Sequence, residues 1–185
     1  MDLPQNSIDL DLWLNKALIQ RQNQLKNQFQ AILEGVGIFF SLTDFLKISP
    51  KSRGVKLTKG NDLLGYPYQV LDLIRDFDPD NGANIRILNW FGNGLYLTIL
   101  LGKNRKNPAS ELLSNAYFFG LTENQWDYPD IVLNKNSTDS ERQISQQKLG
   151  FYHWIKEIEP KESPIDLQQS LVNEIKKIIP ILDLS

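Results

Sequence analysis

Apolar positions recur with helical spacing along the first part of the chain. Leu14, Leu18, Leu25, Phe29, Ile32 and Val36 stand three, four or seven residues apart, while Gln20, Gln22, Asn23, Gln24, Lys26 and Gln28 fall largely off that stripe. Asn6 and Ser7 are N-cap residue types, and Asp9 and Asp11 sit where a helix dipole favours negative charge. The pattern predicts a long amphipathic helix from about Ile8 to Glu34, resuming past Gly35 and Gly37 into Ile38–Leu46. Ser49-Pro50 closes the region, since proline pushes the residue before it away from helix. The stripe offers a seam for a homodimer as well as for packing on the protein's own sheet.

The period then changes to two. Lys51 to Gly60 is basic and places Val55 and Leu57 in alternation, which suits a short edge strand guarded by lysines. Gly65 and Pro67 break any helix begun at Asn61, so Tyr66-Pro67-Tyr68 reads as extended or as a turn, and Gln69 to Phe77 as strand or short helix. Asn93-Gly94 is the pair that a type I′ hairpin turn requires, because both central positions need positive φ. A hairpin from Asn84 to Leu101 follows, with Phe91 opposite Tyr96 and Trp90 opposite Leu97. In that register one face carries Leu88, Trp90, Leu95, Leu97, Ile99 and Leu101 and becomes the core side.

Asn107-Pro108 starts a short helix ending near Asn115. Tyr117 to Leu121 reads as a buried strand, Trp126 to Pro129 as an aromatic loop, and Ile131–Leu133 as another short strand. Asn134 to Ser140 is a polar loop, with Thr138 and Glu141 at capping-box spacing. The aromatic and β-branched run Phe151–Ile155 favours a strand buried on both faces over a continued helix. Ser163 caps a last helix that starts at Pro164, carries Leu167, Leu171, Ile175 and Ile178 on one stripe, and stops at Pro180. The order predicts a single α+β domain over residues 1–185. Its mainly antiparallel sheet has four to six strands, with the long first and last helices on one face.

At 185 residues the chain is long enough to bury a core without disulfide or metal. It has no cysteine, which excludes disulfide scaffolds, thiol catalysis and cysteine-ligated metal sites. The acidic N-terminal stretch lacks the features of a secretory signal, and no window is apolar enough for a spanning helix. A soluble, cytoplasmic protein with no membrane partner is the expectation. Twenty basic against 22 acidic residues give a net charge of −2, which disfavours a polyanionic partner overall. Basic clusters remain at Lys47 to Lys59 and at Lys103 to Lys106.

Asp76, Asp78, Asp80 and Gly82 resemble the start of a calcium loop, but Pro79, the late glycine and Ile87 in the closing position break the match. No metal or cofactor is expected. His153 is the only histidine, so triads and two-histidine metal sites lack their parts. The tyrosine-rich stretch leading into the hairpin is the best place for a ligand. Tyr66, Tyr68, Gln69, Asp72, Arg75 and His153 are the candidates, with Asp72 or His153 as base and Arg75 as anion holder. The run from Leu63 to Asp72, LLGYPYQVLD, with a hairpin soon after, resembles a small bacterial protein family to which no activity is attached. The resemblance covers about residues 61–101 and implies a cytoplasmic bacterial protein without implying a mechanism. Three readings result. The first is a non-catalytic binding or protein-interaction module for an unknown protein or small molecule. The second is a small enzyme with its pocket near Tyr66–Arg75, and the third is nucleic-acid binding through the basic loops.

Overall fold

A computed structural model describes Ser7–Asp183. The chain runs α1 (Leu10–Trp13), α2 (Lys16–Phe39), α3 (Leu42–Leu46), β1 (Lys56–Leu63), β2 (Tyr66–Arg75), β3 (Ala83–Trp90), β4 (Gly94–Gly102) and α4 (Ala109–Ser114). It continues as β5 (Phe118–Gly120), α5 (Tyr128–Leu133), β6 (Ser137–Thr138), α6 (Glu141–Gln146), β7 (Phe151–Glu157) and α7 (Pro164–Asp183). The α+β expectation holds, but the sheet has seven strands rather than four to six, in the order β1-β2-β3-β4-β7-β5-β6. Every neighbouring pair is antiparallel. The count rises partly because the polar stretch expected to be all loop supplies β6, which pairs with β5.

The first helix differs from its expected form in two ways. Asn15 turns out of helix (φ −76°, ψ 80°) and its side chain caps α2 by accepting from the Leu18 N–H at 3.0 Å. A mid-pattern asparagine competes with the helix backbone in this way, so α1 is separated from α2. The Asn6 cap lies outside the described residues; Asp9 caps α1, accepting from the Leu12 N–H. Farther on, α2 runs straight through Gly35 and Gly37, which the sequence suggests as an interruption. A Cβ on Gly35 would lie 2.5 Å from the Gln168 side chain of α7, so this glycine serves a close helix–helix approach.

Packing explains the C-terminal helix as well. Pro180 stands inside α7 instead of ending it. It is exposed and in the closing turn, where the carbonyl it deprives of a donor belongs to exposed Lys176, and the helix carries on to bury Leu182. Ser163 does cap this helix, accepting from the Asp166 N–H. The segment expected as a strand at Ile131–Leu133 is the helix α5. Asp127 accepts from the Asp130 N–H and Pro129 occupies the first turn, the two signals that start a helix.

The hairpin register is the largest departure. Trp90 pairs with Gly94, Asn89 with Leu95 and Ile87 with Leu97, three positions away from the expected pairing. The Trp90 carbonyl accepts from the Asn93 N–H at 2.9 Å, and positive φ falls on Gly92 (85°) and Gly94 (123°), not on Asn93. Gly92 thus takes the position that a type II turn reserves for glycine, and the loop is three residues long. An odd shift exchanges the faces. Ile85 and Ile87 join Leu95, Leu97, Ile99 and Leu101 under α2 and α7, while Leu88, Trp90 and Tyr96 form a second core with Val70, Ile155 and the α5 residues Tyr128, Ile131 and Val132. Both faces are covered, so the central strands are apolar almost throughout. The turn assignment has a direct check. Gly92→Ala should cost about 1–2 kcal/mol because alanine resists positive φ, and Asn93→Ala should be near neutral in urea unfolding. The reverse order would restore the type I′ turn.

Candidate functional site

β2 carries five of the six candidate residues and distributes them over two faces, and β7 carries His153. Gln69 lies on the helix-covered face, 3% exposed, where its amide donates to the Lys26 carbonyl (2.9 Å) and accepts from Asn89 (3.3 Å). Tyr66 is 48% exposed, with its ring edge against Gly92 at the hairpin turn. Tyr68 lies over Gly60 and packs against the second core. Asp72 pairs across the strands with Arg86, and Arg75 with Asn84, while His153 pairs with Leu100 on β7. Asp72 and His153 therefore share the second face, separated by β3 and β4. Gln69 and Tyr66 join neither.

Around Asp72 the sheet builds a closed polar cluster. Arg86 grips its carboxylate with two hydrogen bonds, Nε to Oδ1 at 2.7 Å and Nη2 to Oδ2 at 3.2 Å. Asn84 donates to the same Oδ1 at 3.0 Å. The third guanidinium nitrogen donates to the Tyr128 hydroxyl at 3.0 Å, and Trp126 covers the guanidinium with its ring centroid 4.8 Å away. Burial pushes the Tyr128 phenol up from its ordinary range, so it stays protonated beside Arg86. His153 stands edge-on to Tyr128, its ring centroid 5.4 Å away. Neither ring nitrogen has a hydrogen-bond partner among the described residues. Burial first, and then the Arg86 charge, lower its pKa from 6.5 to about 4. It is a neutral core histidine at neutral pH.

This arrangement is suited to holding a sheet together. Asp72 is 5% and His153 1% exposed, so neither meets solvent, and Asp72 is already fully engaged by Arg86 and Asn84. Sequence reasoning missed Arg86 and Tyr128. The signal for the first was present, since Arg86 is the only charge in the apolar run Ile85–Trp90 and Asp72 the only acid in Val70–Ile74. A second buried cluster, on the helix side, joins Glu174 of α7 to Lys156 (2.7 Å) and to the Tyr117 hydroxyl (3.3 Å).

The acidic loop is tied to itself. Asp78 accepts from the Asp80 and Asn81 N–H groups, Asp76 from Ser49, and Asp80 pairs with Lys103. Hydrogen bonds from the Asn81 and Asp80 backbones hold the Asp78 carboxyl below its ordinary pKa. No group of three or more His, Asp or Glu side chains among the described residues is placed to hold a metal ion. No helix among them is long and apolar enough to cross a membrane.

The most unusual surface is the arm formed by α1 and the first part of α2. No residue from Ser7 to Leu25 is buried. Yet Ile8, Leu10, Leu12, Trp13, Leu14, Leu18, Ile19 and Leu25 all lie there, Trp13 being 69% and Leu14 65% exposed. The body of the protein takes hold of α2 only from Lys26, whose carbonyl receives the Gln69 amide, and from Phe29, which meets Phe91 edge-on at 5.7 Å. Lys16 to Leu25 thus spans about 15 Å of helix in which no residue is buried. Its apolar stripe continues the one that Ile32, Leu33 and Val36 bury. Between Asp11 and Glu34 the only charges are Lys16, Arg21 and Lys26. No protein-family model matches the chain, and no curated protein or solved structure matches it either, so its function is to be read from these residues.

Proposed function

We propose that the protein is a non-catalytic interaction module that docks its α1–α2 arm into an apolar groove of a partner protein. The unpacked arm, with eight large apolar side chains exposed between residues 7 and 25, is the observation that carries this reading. Helices in proteins draw most of their stability from packing an apolar face, and a short unpacked helix is marginal in water. A contiguous exposed apolar surface is also the usual mark of an interaction site. Leu18 and Leu25 are seven residues apart on the stripe and serve as anchors of a helix-in-groove complex. Lys16, Arg21 and Lys26 favour a groove with an acidic rim. The enzyme reading has less support, because Asp72 and His153 are sealed in the sheet.

The test uses Leu18→Ser with Leu25→Ser in the full chain. Both side chains are over 40% exposed, so the double variant should fold and melt like the parent, within about 1 kcal/mol. It should lose the partner that the parent retains through size-exclusion chromatography from an extract of its own source cells. A partner retained equally by both would remove the arm from the interaction.

A further inference from the structure

Beside the root of the arm, between α2 and the outer strands, lies a cleft of about 320 Å³. That is at the lower end of the range for small-molecule sites. Two cations line it, Lys26 from α2 and Lys59 from β1, and among the described residues no carboxylate does. Carboxamides make up much of the remaining wall, with Asn23 and Asn27 on the helix and Asn61 on the strand side. Phe91 closes one end.

Hydrogen bonds and ring contacts hold the cleft in shape. The buried Gln69 amide fastens the Lys26 backbone to β2 at 2.9 Å, which fixes the helix wall against the strand wall. The Lys59 ammonium donates to the Gln30 side-chain oxygen Oε1 at 2.8 Å, and the Gln30 Nε2 in turn donates to Glu34 at 2.7 Å. Two of the three ammonium donors of Lys59 stay available to a ligand. The β1–β2 pairing shifts between Gly60 and Leu63, a bulge at the level of Asn61, and bulges commonly re-aim a side chain next to a site. Phe29 braces the Phe91 ring edge-on, with planes at 84°.

We infer that this cleft binds a small planar anion, with its phosphate or carboxylate on Lys26 and Lys59 and its ring against Phe91. A cleft lined by charge of one sign concentrates ligands of the other. Carboxamides supply both donors and acceptors to the edge of a ring. The inference does not depend on the docking reading, because it rests on Lys26, Lys59 and Phe91, none of which is among the arm's exposed apolar residues.

Phenyl phosphate is the probe, with inorganic phosphate and benzylamine as controls for the ring and for the charge. Backbone amide NMR spectra of the full chain should show saturable shifts at Lys26, Lys59, Asn61 and Phe91 with phenyl phosphate. Inorganic phosphate should shift them less, and benzylamine should leave them in place. Lys26→Gln with Lys59→Gln should weaken phenyl phosphate about tenfold without moving the melting temperature, since two partly solvated charge contacts amount to about 1.4 kcal/mol. Leu18→Ser alone, which leaves Leu25 beside Phe91 in place, should bind it unchanged, which separates this site from the docking reading. Four results would overturn the inference. They are no saturable shift up to ~10 mM, a concentration at which even a ligand of millimolar affinity would saturate, equal shifts with benzylamine, unchanged affinity in the lysine variant, or much tighter, salt-sensitive binding of an oligothymidylate. The last would make a single strand the occupant.

Discussion

Replacing Asp72 with alanine is expected to cost about 3–5 kcal/mol of folding stability, because it strands a buried guanidinium. The Arg86 side chain is 13% exposed, and among the described residues Asp72 supplies its only carboxylate, through bonds of 2.7 and 3.2 Å. With Asp72 gone, Arg86 keeps the Tyr128 hydroxyl and the Trp126 ring, neither of which carries a compensating charge. Asn84 also loses an acceptor. Exchanging the whole pair for apolar residues of similar volume, Asp72→Leu with Arg86→Met, should recover most of the loss, since removing both charges also removes their desolvation cost. Urea unfolding of the two variants checks this. If Asp72→Ala cost less than about 1 kcal/mol, the pair would behave like an exposed ion pair and not as the brace of the second face.

His153 should make stability depend on pH in a window that no other histidine shares, because the chain has only one. Its folded pKa of about 4 lies below the unfolded value of 6.5. Above pH 6.5 both states hold the ring neutral and the group contributes no slope. Between pH 6.5 and 4 the unfolded chain takes up a proton that the native protein refuses, so stability falls as pH falls. Below pH 4 both states are protonated and the slope ends. Two and a half pH units at 1.36 kcal/mol each amount to about 3 kcal/mol. The ring is 1% exposed, so solvent screening does not reduce this. The carboxyls of Asp44, Asp78 and Asp130 are all held below 3.8 and titrate under the window. His153→Phe should remove the slope in urea unfolding between pH 6.5 and about 5.5, above the range where the lowered Glu159 carboxyl adds its own. Stability at pH 7 should stay intact, because neither ring nitrogen has a partner to lose among the described residues. A slope that survives the substitution would assign it to other groups.

Local signals read well where one residue type decides the backbone. Ser163 before Pro164, the apolar stripe of α7 and the aromatic run of β7 each produced the expected element. Failures came where tertiary contacts chose among local options. Asn93-Gly94 satisfies a type I′ turn, but Gly92 also permits a type II turn, and burial of both sheet faces favoured the second. Gly35 looks like a helix break in sequence and is an interhelical contact in the fold. The candidate site was legible only in part. Alternation along β2 already implies that Gln69 and Asp72 face opposite ways, but uncertainty between strand and helix for Gln69–Phe77 concealed it. Nothing local reveals that Arg86 and Tyr128, far apart in sequence, meet at Asp72. The first helix was expected to cover the sheet along its length, yet none of its residues up to Leu25 is buried. That its stripe would leave the body of the protein near Leu25 depends on where the sheet ends, which periodicity does not encode.

The exposed arm is the feature that sets this protein's proposed role. Site-specific photo-crosslinking in source cells tests it most directly, with a benzophenone side chain in place of Leu18 and, as a control, in place of exposed Glu123. The docking reading predicts a discrete cross-linked species from position 18 and none from position 123, and the species should disappear when Leu25→Ser is added. No cross-link at position 18, or the same species from both positions, would contradict it.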